Sequence, residues 1–273
     1  MNEDKESERI RKVRKAILKS GYPTEIEVRN ALKKNGWLVG NQWPYRDKTT
    51  QKVRAVDVFA MKIGLKPSRL GIILLAECKK SEEHEWVFYT QQKEADYLSF
   101  MGAIFDTVRK VTSPQVSEQL EQLMAKATLG DIFNIETRSS NILSKLSGLH
   151  ILNRSIRMGL FSVAPFRKDG GKDDFFEATQ QIISSIESLA EGMKGLIVFP
   201  LIVFEGEVYE FYPDDGELTI LPTNHVQFIS FGADLTPHLI DIVKKSHLAE
   251  FLKMIETDLQ ILSEIANYGA EKS

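Results

Sequence analysis

The sequence is poor in cysteine and contains no long apolar run, and these absences exclude several classes of protein. Its 273 residues include one cysteine, Cys78, so no internal disulfide framework can form. No stretch reaches the roughly 18 consecutive apolar residues that a membrane-spanning helix needs. The first residues, MNEDKESERIRKVRK, are charged and lack the apolar region of a secretory signal. We therefore expect a cytoplasmic protein with no membrane contact.

The histidines do not indicate a zinc site, since the five of them show no metal-ligand spacing with the cysteine. Hydrophobic residues make up 42% of the chain and charged residues 27%, which is typical of a globular protein with a substantial core.

The net charge of −3 conceals an asymmetry along the chain. Residues 1–80 contain 19 Lys and Arg against 9 Asp and Glu, whereas residues 81–273 contain 16 against 29. A basic segment of this kind supplies contacts to phosphates. The alternative is that the basic and acidic residues form ordinary solvated surfaces and that their unequal distribution along the chain has no function.

The first third of the chain predicts two helices followed by three strands. Apolar residues at 10, 13 and 17 predict a helix over 5–19, and a second helix is expected from 24 to 35. Alternating or β-branched segments predict strands over 37–45, 53–62 and 72–80. The last of these, IILLAECKK, is apolar on both faces, which indicates a strand inside the sheet.

The rest of the chain is less regular. Helical spacing predicts helices over 91–101, 113–127 and 174–193, and strands are expected at 85–89, 160–166, 195–212 (with a turn at Glu205-Gly206) and 217–231. A long helix is predicted from about 236 to 266, whose heptad spacing from Leu248 to Leu262 fits either a dimer seam or a helix docked on its own domain. Its apolar stripe is wider than a seam, which favours docking.

The predicted fold class is therefore α/β, with a mixed central sheet flanked by helices, a helical insertion and a long C-terminal helix. We divide the chain into a core over 1–112, a mainly helical segment over 113–193, and strands with the final helix over 194–273. All three are expected to form one composite domain.

Two of the predicted strands each place a carboxylate in an apolar setting. Glu77 and Lys79 share one face of their strand and Cys78 points to the other, while Asp57 interrupts the apolar segment AVDVFA. If the strands are adjacent, Asp57 and Glu77 converge, and their mutual repulsion favours a cation between them. Mg²⁺ is a hard cation that takes one or two carboxylates, and Lys79 beside it would complete a site for phosphodiester hydrolysis.

The segments TEIEVRNALKKNGW, VRAVDVFA and LLAECKK together resemble the PD-(D/E)xK, or restriction-endonuclease-like, nuclease superfamily. The resemblance covers about residues 20–90 and is strongest to the branch of Mrr-type restriction enzymes and archaeal Holliday-junction resolvases. It implies a metal-dependent endonuclease with a restriction-endonuclease-like core. The proline of the family name is absent, since Val56 precedes Asp57.

The resemblance also implies roles for single residues. Asp57, Glu77 and the backbone carbonyl of Cys78 would hold Mg²⁺, or Mn²⁺ as an alternative, and Lys79 would be the catalytic lysine. Glu25 would be the helix carboxylate and a further metal ligand, although Glu27 remains an alternative for that role.

Nucleic acid is the implied partner, with DNA favoured by the family analogy alone, and a homodimer is expected because a duplex has two strands to cut. Weaker candidates for nucleic-acid contact are the basic residues around the first hairpin and two glutamines expected on the helix after the lysine: Arg46, Lys48, Lys52, Arg54, Gln91 and Gln92.

Three other interpretations remain open at this stage. The same fold could serve as a non-catalytic nucleic-acid-binding or subunit module, or as an RNA-cleaving or effector-activated nuclease. In the simplest case Glu77 and Lys79 pair with each other at the surface and Asp57 caps a turn.

Overall fold

The structure is a computed structural model in which the described residues form one ten-stranded mixed sheet with helices on both faces. It describes residues 2–48, 50–64, 70–81, 84–92, 157–163, 174–189, 196–232 and 237–267. The predicted helix over 113–127 and most of the segment 113–193 lie outside these residues.

The first five elements follow the sequence pattern closely. Two helices precede three strands, and their bounds are α1 Asn2–Lys19, α2 Tyr22–Lys34, β1 Leu38–Arg46, β2 Val53–Ile63 and β3 Gly71–Lys80. A proline in the first turn of α2 has no amide to satisfy, and Gly36 at φ +77 turns the chain after the helix.

The later elements depart from the prediction at two places. They are β4 Trp86–Gln92, β5 Arg157–Val163, α3 Asp174–Leu189, β6 Leu196–Glu205, β7 Val208–Asp214, β8 Glu217–Pro222, β9 His225–Phe231, β10 Pro237–Lys244 and α4 Leu248–Asn267. A helix over 91–101 is wrong at its start, because Gln91 and Gln92 belong to β4, and residues 93–101 lie outside the described part. A helix from 236 is also wrong, because β10 occupies residues 237–244 and α4 begins only at Leu248.

The strand order in the described sheet is β1-β2-β3-β6-β10-β9-β5-β4-β7-β8. Strands β3, β6 and β10 run parallel in its middle, and β1, β2 and β3 form an antiparallel meander at one side. Since β3 lies between β2 and β6 and its residues 71–78 are buried, the prediction of an interior strand is confirmed.

Helices cover the two faces of the sheet. One apolar core packs α2 and α4 against alternate residues of β2, β3 and β6. On the opposite face α3 packs through Phe175, Ile182 and Ile183, joined by Trp86 and Phe204, whose rings stack with centroids 3.9 Å apart. The mixed sheet flanked by helices confirms the α/β class.

Helix α4 docks on its own sheet. Its five heptad residues, Leu248, Leu252, Ile255, Leu259 and Leu262, are at most 4% exposed and belong to the core that contains α2. Intramolecular docking is therefore confirmed, and these residues are not free to form a dimer seam. Among the described residues, no helix has both the length and the apolarity needed to cross a membrane.

Strand β10 was mistaken for helix because it is apolar on both faces. Ile240 and Ile242 belong to the core beneath α3, whereas Val243 belongs to the core beneath α4. Asp241 between them is buried, and it accepts hydrogen bonds from Gln227 Nε2 at 3.1 Å and pairs with His225 Nε2 at 2.8 Å on β9. A strand that is buried on both faces has a continuous run of apolar residues. In a run this short, the sequence pattern does not distinguish such a strand from a buried helix.

Candidate active site

Asp57 and Glu77 lie on neighbouring strands. The antiparallel register of β2 with β3 ends at Val58 opposite Ala76, one residue before Asp57 and Glu77, and the side chains of these two residues are within hydrogen-bonding distance of each other. The backbone amide of Cys78 donates a hydrogen bond of 2.9 Å to Oδ2 of Asp57. The two carboxylates that the sequence places in apolar strands are therefore brought together at the carboxyl end of β3.

Glu77 is a buried carboxylate with an unsatisfied oxygen. Its residue is 1% exposed, and no described group forms a hydrogen bond with its Oε1. Burial raises the pKa of Glu77 well above its usual value, the charge of Asp57 and side-chain hydrogen bonding with Asp57 add to the rise, and Lys79 opposes it. The Lys79 ammonium lies 3.9 Å from Oε2 of Glu77, too far for a tight ion pair.

Helix α2 brings a third carboxylate to this place. Burial and the charge of Asp57 raise the pKa of Glu25, while Arg29 and Lys79 lower it. Arg29 Nη2 donates hydrogen bonds to Oε2 of Glu25 at 3.0 Å and to the backbone oxygen of Asp57 at 2.7 Å. Glu27 on the same helix instead pairs with Lys245 at 2.8 Å, so Glu25 is the helix carboxylate that faces the site.

Three residues of this site were missed by reasoning from the sequence: Arg29, Tyr45 and Gln181. Gln181 on α3 accepts a 3.5 Å hydrogen bond from Lys79 Nζ through Oε1, which is at the outer limit for such a bond. The Tyr45 hydroxyl donates to the Gln181 backbone oxygen at 3.1 Å, and burial with the charge of Glu77 raises the pKa of Tyr45 to about 12. The sequence contained one indication of Gln181, a second Gln-Gln pair at 180–181 in the amphipathic helix.

Cys78 contributes backbone atoms to the site, since its thiol is turned away. The side chain is buried in the core beneath α2 and α4, and burial together with the charges of Asp57 and Glu77 raises its pKa well above the usual value. Its backbone carbonyl faces the start of α2, where a Cβ added at Gly21 would be 3.6 Å from it. A neutral buried thiol of this kind is not a nucleophile.

The weaker candidates are not brought to the site. The basic residues of the first hairpin are exposed. Arg46 donates to the backbone oxygen of Gln51, and Arg54 pairs with Asp47. Lys48 and Lys52 lie in the same exposed turn region. The prediction that Gln91 and Gln92 lie on the helix after the lysine is wrong, because both belong to strand β4, which four strands separate from β3.

The donor set fits a cation held by two carboxylates better than one held by three. Among the described residues, no group of three or more His, Cys, Asp and Glu side chains is arranged to hold a metal ion. Glu25 is turned to Arg29, which accounts for the missing third ligand. Asp57 and Glu77 remain, and the unsatisfied Oε1 of Glu77 is an oxygen available to a cation such as Mg²⁺, which takes one or two protein carboxylates.

Comparison of the chain with protein-family models, with curated proteins and with solved structures finds no match in any of the three. The resemblance to the PD-(D/E)xK superfamily therefore rests on the motif residues and their placement.

Proposed function

We propose that this chain is a Mg²⁺-dependent endonuclease with a restriction-endonuclease-like core, which hydrolyses phosphodiester bonds of nucleic acid and favours DNA. The observation that supports the proposal most is the meeting of Asp57, Glu77 and Lys79 at the carboxyl end of β3, with Glu25 of α2 beside them. Three carboxylates are placed together here with two cationic side chains, Arg29 and Lys79, and the pKa values of Glu25 and Glu77 are still raised. Such an arrangement is costly for stability, which favours a functional explanation of the cluster.

Asp57, Glu77 and the carbonyl of Cys78 would hold the metal ion. When bound, Mg²⁺ supplies a Lewis acid for the phosphoryl oxygen and lowers the pKa of a bound water. The hydrogen bond from the Cys78 amide fixes the carboxylate of Asp57, and burial of Glu77 in the sheet excludes water from one side of the site.

Lys79 provides the positive charge that faces the substrate. Its side chain is 24% exposed, whereas that of Glu77 is 2% exposed, so a phosphate reaches the ammonium first. An ammonium in this position orients the attacking water and stabilises negative charge on the phosphate as it develops. The contact with Gln181 restricts where that ammonium can lie.

Cleavage assays on supercoiled plasmid, branched DNA and RNA with and without Mg²⁺ test the proposal. We expect DNA cleavage that EDTA abolishes and that Lys79→Ala lowers by about 100-fold or more, while DNA binding persists. Lys80→Ala is the matched control, because the adjacent Lys80 pairs with Glu205 at 3.4 Å and should leave cleavage largely intact.

Other outcomes assign the site differently. Cleavage of RNA in preference to DNA would support nuclease activity but would contradict the assignment of DNA as the substrate. Nucleic-acid binding with no cleavage under any divalent cation would reject the enzyme and assign a non-catalytic module.

A further inference from the structure

Trp43 on β1 is an exposed aromatic side chain close to the candidate active site. The residue is 42% exposed, whereas the other two aromatic residues in and next to β1, Trp37 and Tyr45, are 3% and 4% exposed. Those two have hydrogen-bond partners, Glu256 for Trp37 and the backbone of Gln181 for Tyr45. The structure therefore separates two aromatic residues of the interior from one whose ring is open to solvent.

The ring of Trp43 lies on the face of the sheet that carries the site. It stacks on Phe59 of β2, with ring centroids 4.6 Å apart and ring planes 23° apart. Phe59 packs against a buried cluster that includes Leu75 of β3 and is covered by α3. Alternate residues of a strand share a face, so Glu77 and Lys79 lie on the same side of the sheet as Leu75, and the contact of Lys79 with α3 agrees with this.

The indole is also close to the site across the strands. Trp43 pairs with Val56, the residue before Asp57, and β3 is the next strand of the sheet. Neighbouring strands are about 4.8 Å apart, so the backbone of Trp43 is about 10 Å from β3. A stacked nucleic-acid strand advances about 3.4 Å per nucleotide. A phosphate at Lys79 and a base at Trp43 would therefore be separated by about three nucleotides.

The hairpin that carries Trp43 is basic. Residues 46–54 contain four lysine and arginine residues and one acidic residue, Asp47, and all four basic residues are exposed. Arg54 is paired with Tyr45 across the hairpin, and its charge opposes the rise in the pKa of that phenol, so Arg54 lies on the same side of the sheet as the indole. Single-stranded nucleic acid is bound by this combination, since positive charge holds its phosphates and an open ring stacks on its bases.

We propose that Trp43 stacks on an unpaired base of the nucleic-acid substrate, about three nucleotides from the cleaved phosphate, and that the substrate is single-stranded or locally unpaired beside the cut. This inference rests on the proposed nuclease function. In a duplex the ring faces of each base are covered by its neighbours, so an indole reaches a ring face only where the base has left the stack. Phe59 supports the indole from behind and leaves its outer face for the base.

Binding of the full chain to fluorescein-labelled oligonucleotides in EDTA, where metal-dependent cleavage does not occur, tests the proposal. We expect a single strand and a gapped duplex to bind more tightly than an intact duplex of equal length. Trp43→Leu should raise the Kd for the single strand and the gapped duplex by about 5-fold or more and leave that for the intact duplex unchanged, while Trp43→Phe should retain most of the affinity. Phe231→Leu is the matched control, because Phe231 is a 57% exposed aromatic residue on β9, which four strands separate from β1.

Abasic oligonucleotides separate stacking from a structural role of Trp43. When the bases of the single strand are removed one at a time, the wild type should lose about 5-fold in affinity at one position, and Trp43→Leu should lose nothing further there. Equal losses of affinity for the single strand and for the intact duplex in Trp43→Leu would show that the residue supports the fold only, and would overturn the proposal.

The outcomes also distinguish this inference from the proposed function. Cleavage that requires Mg²⁺ and Lys79 but is unchanged in Trp43→Leu on single-stranded and gapped substrates would overturn the stacking role and leave the nuclease. Binding of single strands that depends on Trp43, without cleavage under any divalent cation, would reject the nuclease and support the stacking site. A chain that binds the intact duplex as tightly as the single strand would overturn the inference.

Discussion

The backbone amide of Cys78 donates a hydrogen bond of 2.9 Å to Oδ2 of Asp57, and this bond holds the carboxylate of β2 beside β3. The buried carboxyl of Glu77, the residue before Cys78, therefore lies close to the negative charge of Asp57. Two carboxylates so arranged share a proton or a cation. The predictions for Glu77 depend on whether a proton or a metal cation lies between the two carboxylates.

Glu77→Gln should stabilise the metal-free protein and abolish its stabilisation by Mg²⁺. The neutral amide replaces a buried carboxyl whose ionisation is opposed by burial and by Asp57, and whose Oε1 has no described hydrogen-bond partner, which should add about 1–3 kcal/mol to the free energy of unfolding at neutral pH. Urea denaturation with and without Mg²⁺ measures both effects. Exposed Glu217 on β8 offers the control Glu217→Gln, which should change neither.

The pH dependence of this difference has a definite sign. The pKa of Glu77 is raised on folding, so between the unfolded value of about 4.5 and the folded value the native state binds a proton that the unfolded state has lost. The stability of the wild type therefore falls as pH rises through that window. The advantage of Glu77→Gln should be absent below pH 4.5 and grow above it, and an advantage that shrinks with rising pH would contradict the assignment.

Gln181→Leu should slow cleavage by about 2- to 10-fold, since Gln181 Oε1 positions the Lys79 ammonium through one long hydrogen bond. The loss should fall on kcat with KM unchanged, because the residue does not face the substrate directly. Gln180→Leu is the matched control, as Gln180 is the exposed neighbour on α3. Equal losses in the two variants, or a loss confined to KM, would reject this positioning role.

The local part of the site was predictable from the sequence. Strand alternation put Glu77 and Lys79 on one face, and the apolar run of β3 predicted a strand inside the sheet, which the structure confirms. The resemblance likewise favoured Glu25 over Glu27 as the helix carboxylate, and of the two it is Glu25 that faces Asp57. These features depend on neighbours close in sequence.

The long-range part was not predictable, because strand pairing is set by contacts far apart in the chain. Residues 195–212 were expected to form strand, turn and strand, yet β6 and β7 are not neighbours in the sheet. The hairpin lies one step later, at Asp215-Gly216, where φ values of +47 and +87 match an Asp-Gly turn. Gln181 reaches Lys79 across 102 positions, which no local pattern reveals.

Arg29→Met should destabilise the protein and make it more dependent on Mg²⁺. The guanidinium lies between Glu25 and the backbone oxygen of Asp57, and without it the charge of Glu25 loses a partner and the pKa of that carboxyl rises further. We expect the free energy of unfolding to fall by about 1–3 kcal/mol without metal. Since a cation then compensates part of the loss, stabilisation by Mg²⁺ should exceed that of the wild type.

Thermal unfolding at several Mg²⁺ concentrations measures this coupling. Arg9→Met on α1, where the side chain is exposed, controls for the loss of one positive charge and should leave both quantities unchanged. An Arg29→Met protein that Mg²⁺ stabilises less than the wild type would show that Arg29 does not compete with the cation.

Glu205→Gln should loosen the attachment of α2 to the sheet. Glu205 Oε2 accepts hydrogen bonds from Thr24 Oγ1 at 2.5 Å and from Lys245 at 2.9 Å, and Lys80 lies 3.4 Å from Oε1. Burial raises the pKa of Glu205, but these hydrogen bonds and lysine charges outweigh it and lower the pKa below the usual value. We expect a loss of about 1 kcal/mol at neutral pH in urea denaturation.

The sign of the pH dependence is opposite to that of Glu77. Because the folded pKa of Glu205 is lowered, its contribution to stability is fully present above the unfolded value of about 4.5 and is lost as pH falls through the folded value. The difference between Glu205→Gln and the wild type should therefore shrink in acid. Glu207→Gln is the control, because Glu207 is 57% exposed and pairs with Lys244 at 2.8 Å, an exposed ion pair of a kind that contributes little to stability. If both variants lowered the free energy of unfolding equally, the contacts of Glu205 with α2 would not be the cause of the loss.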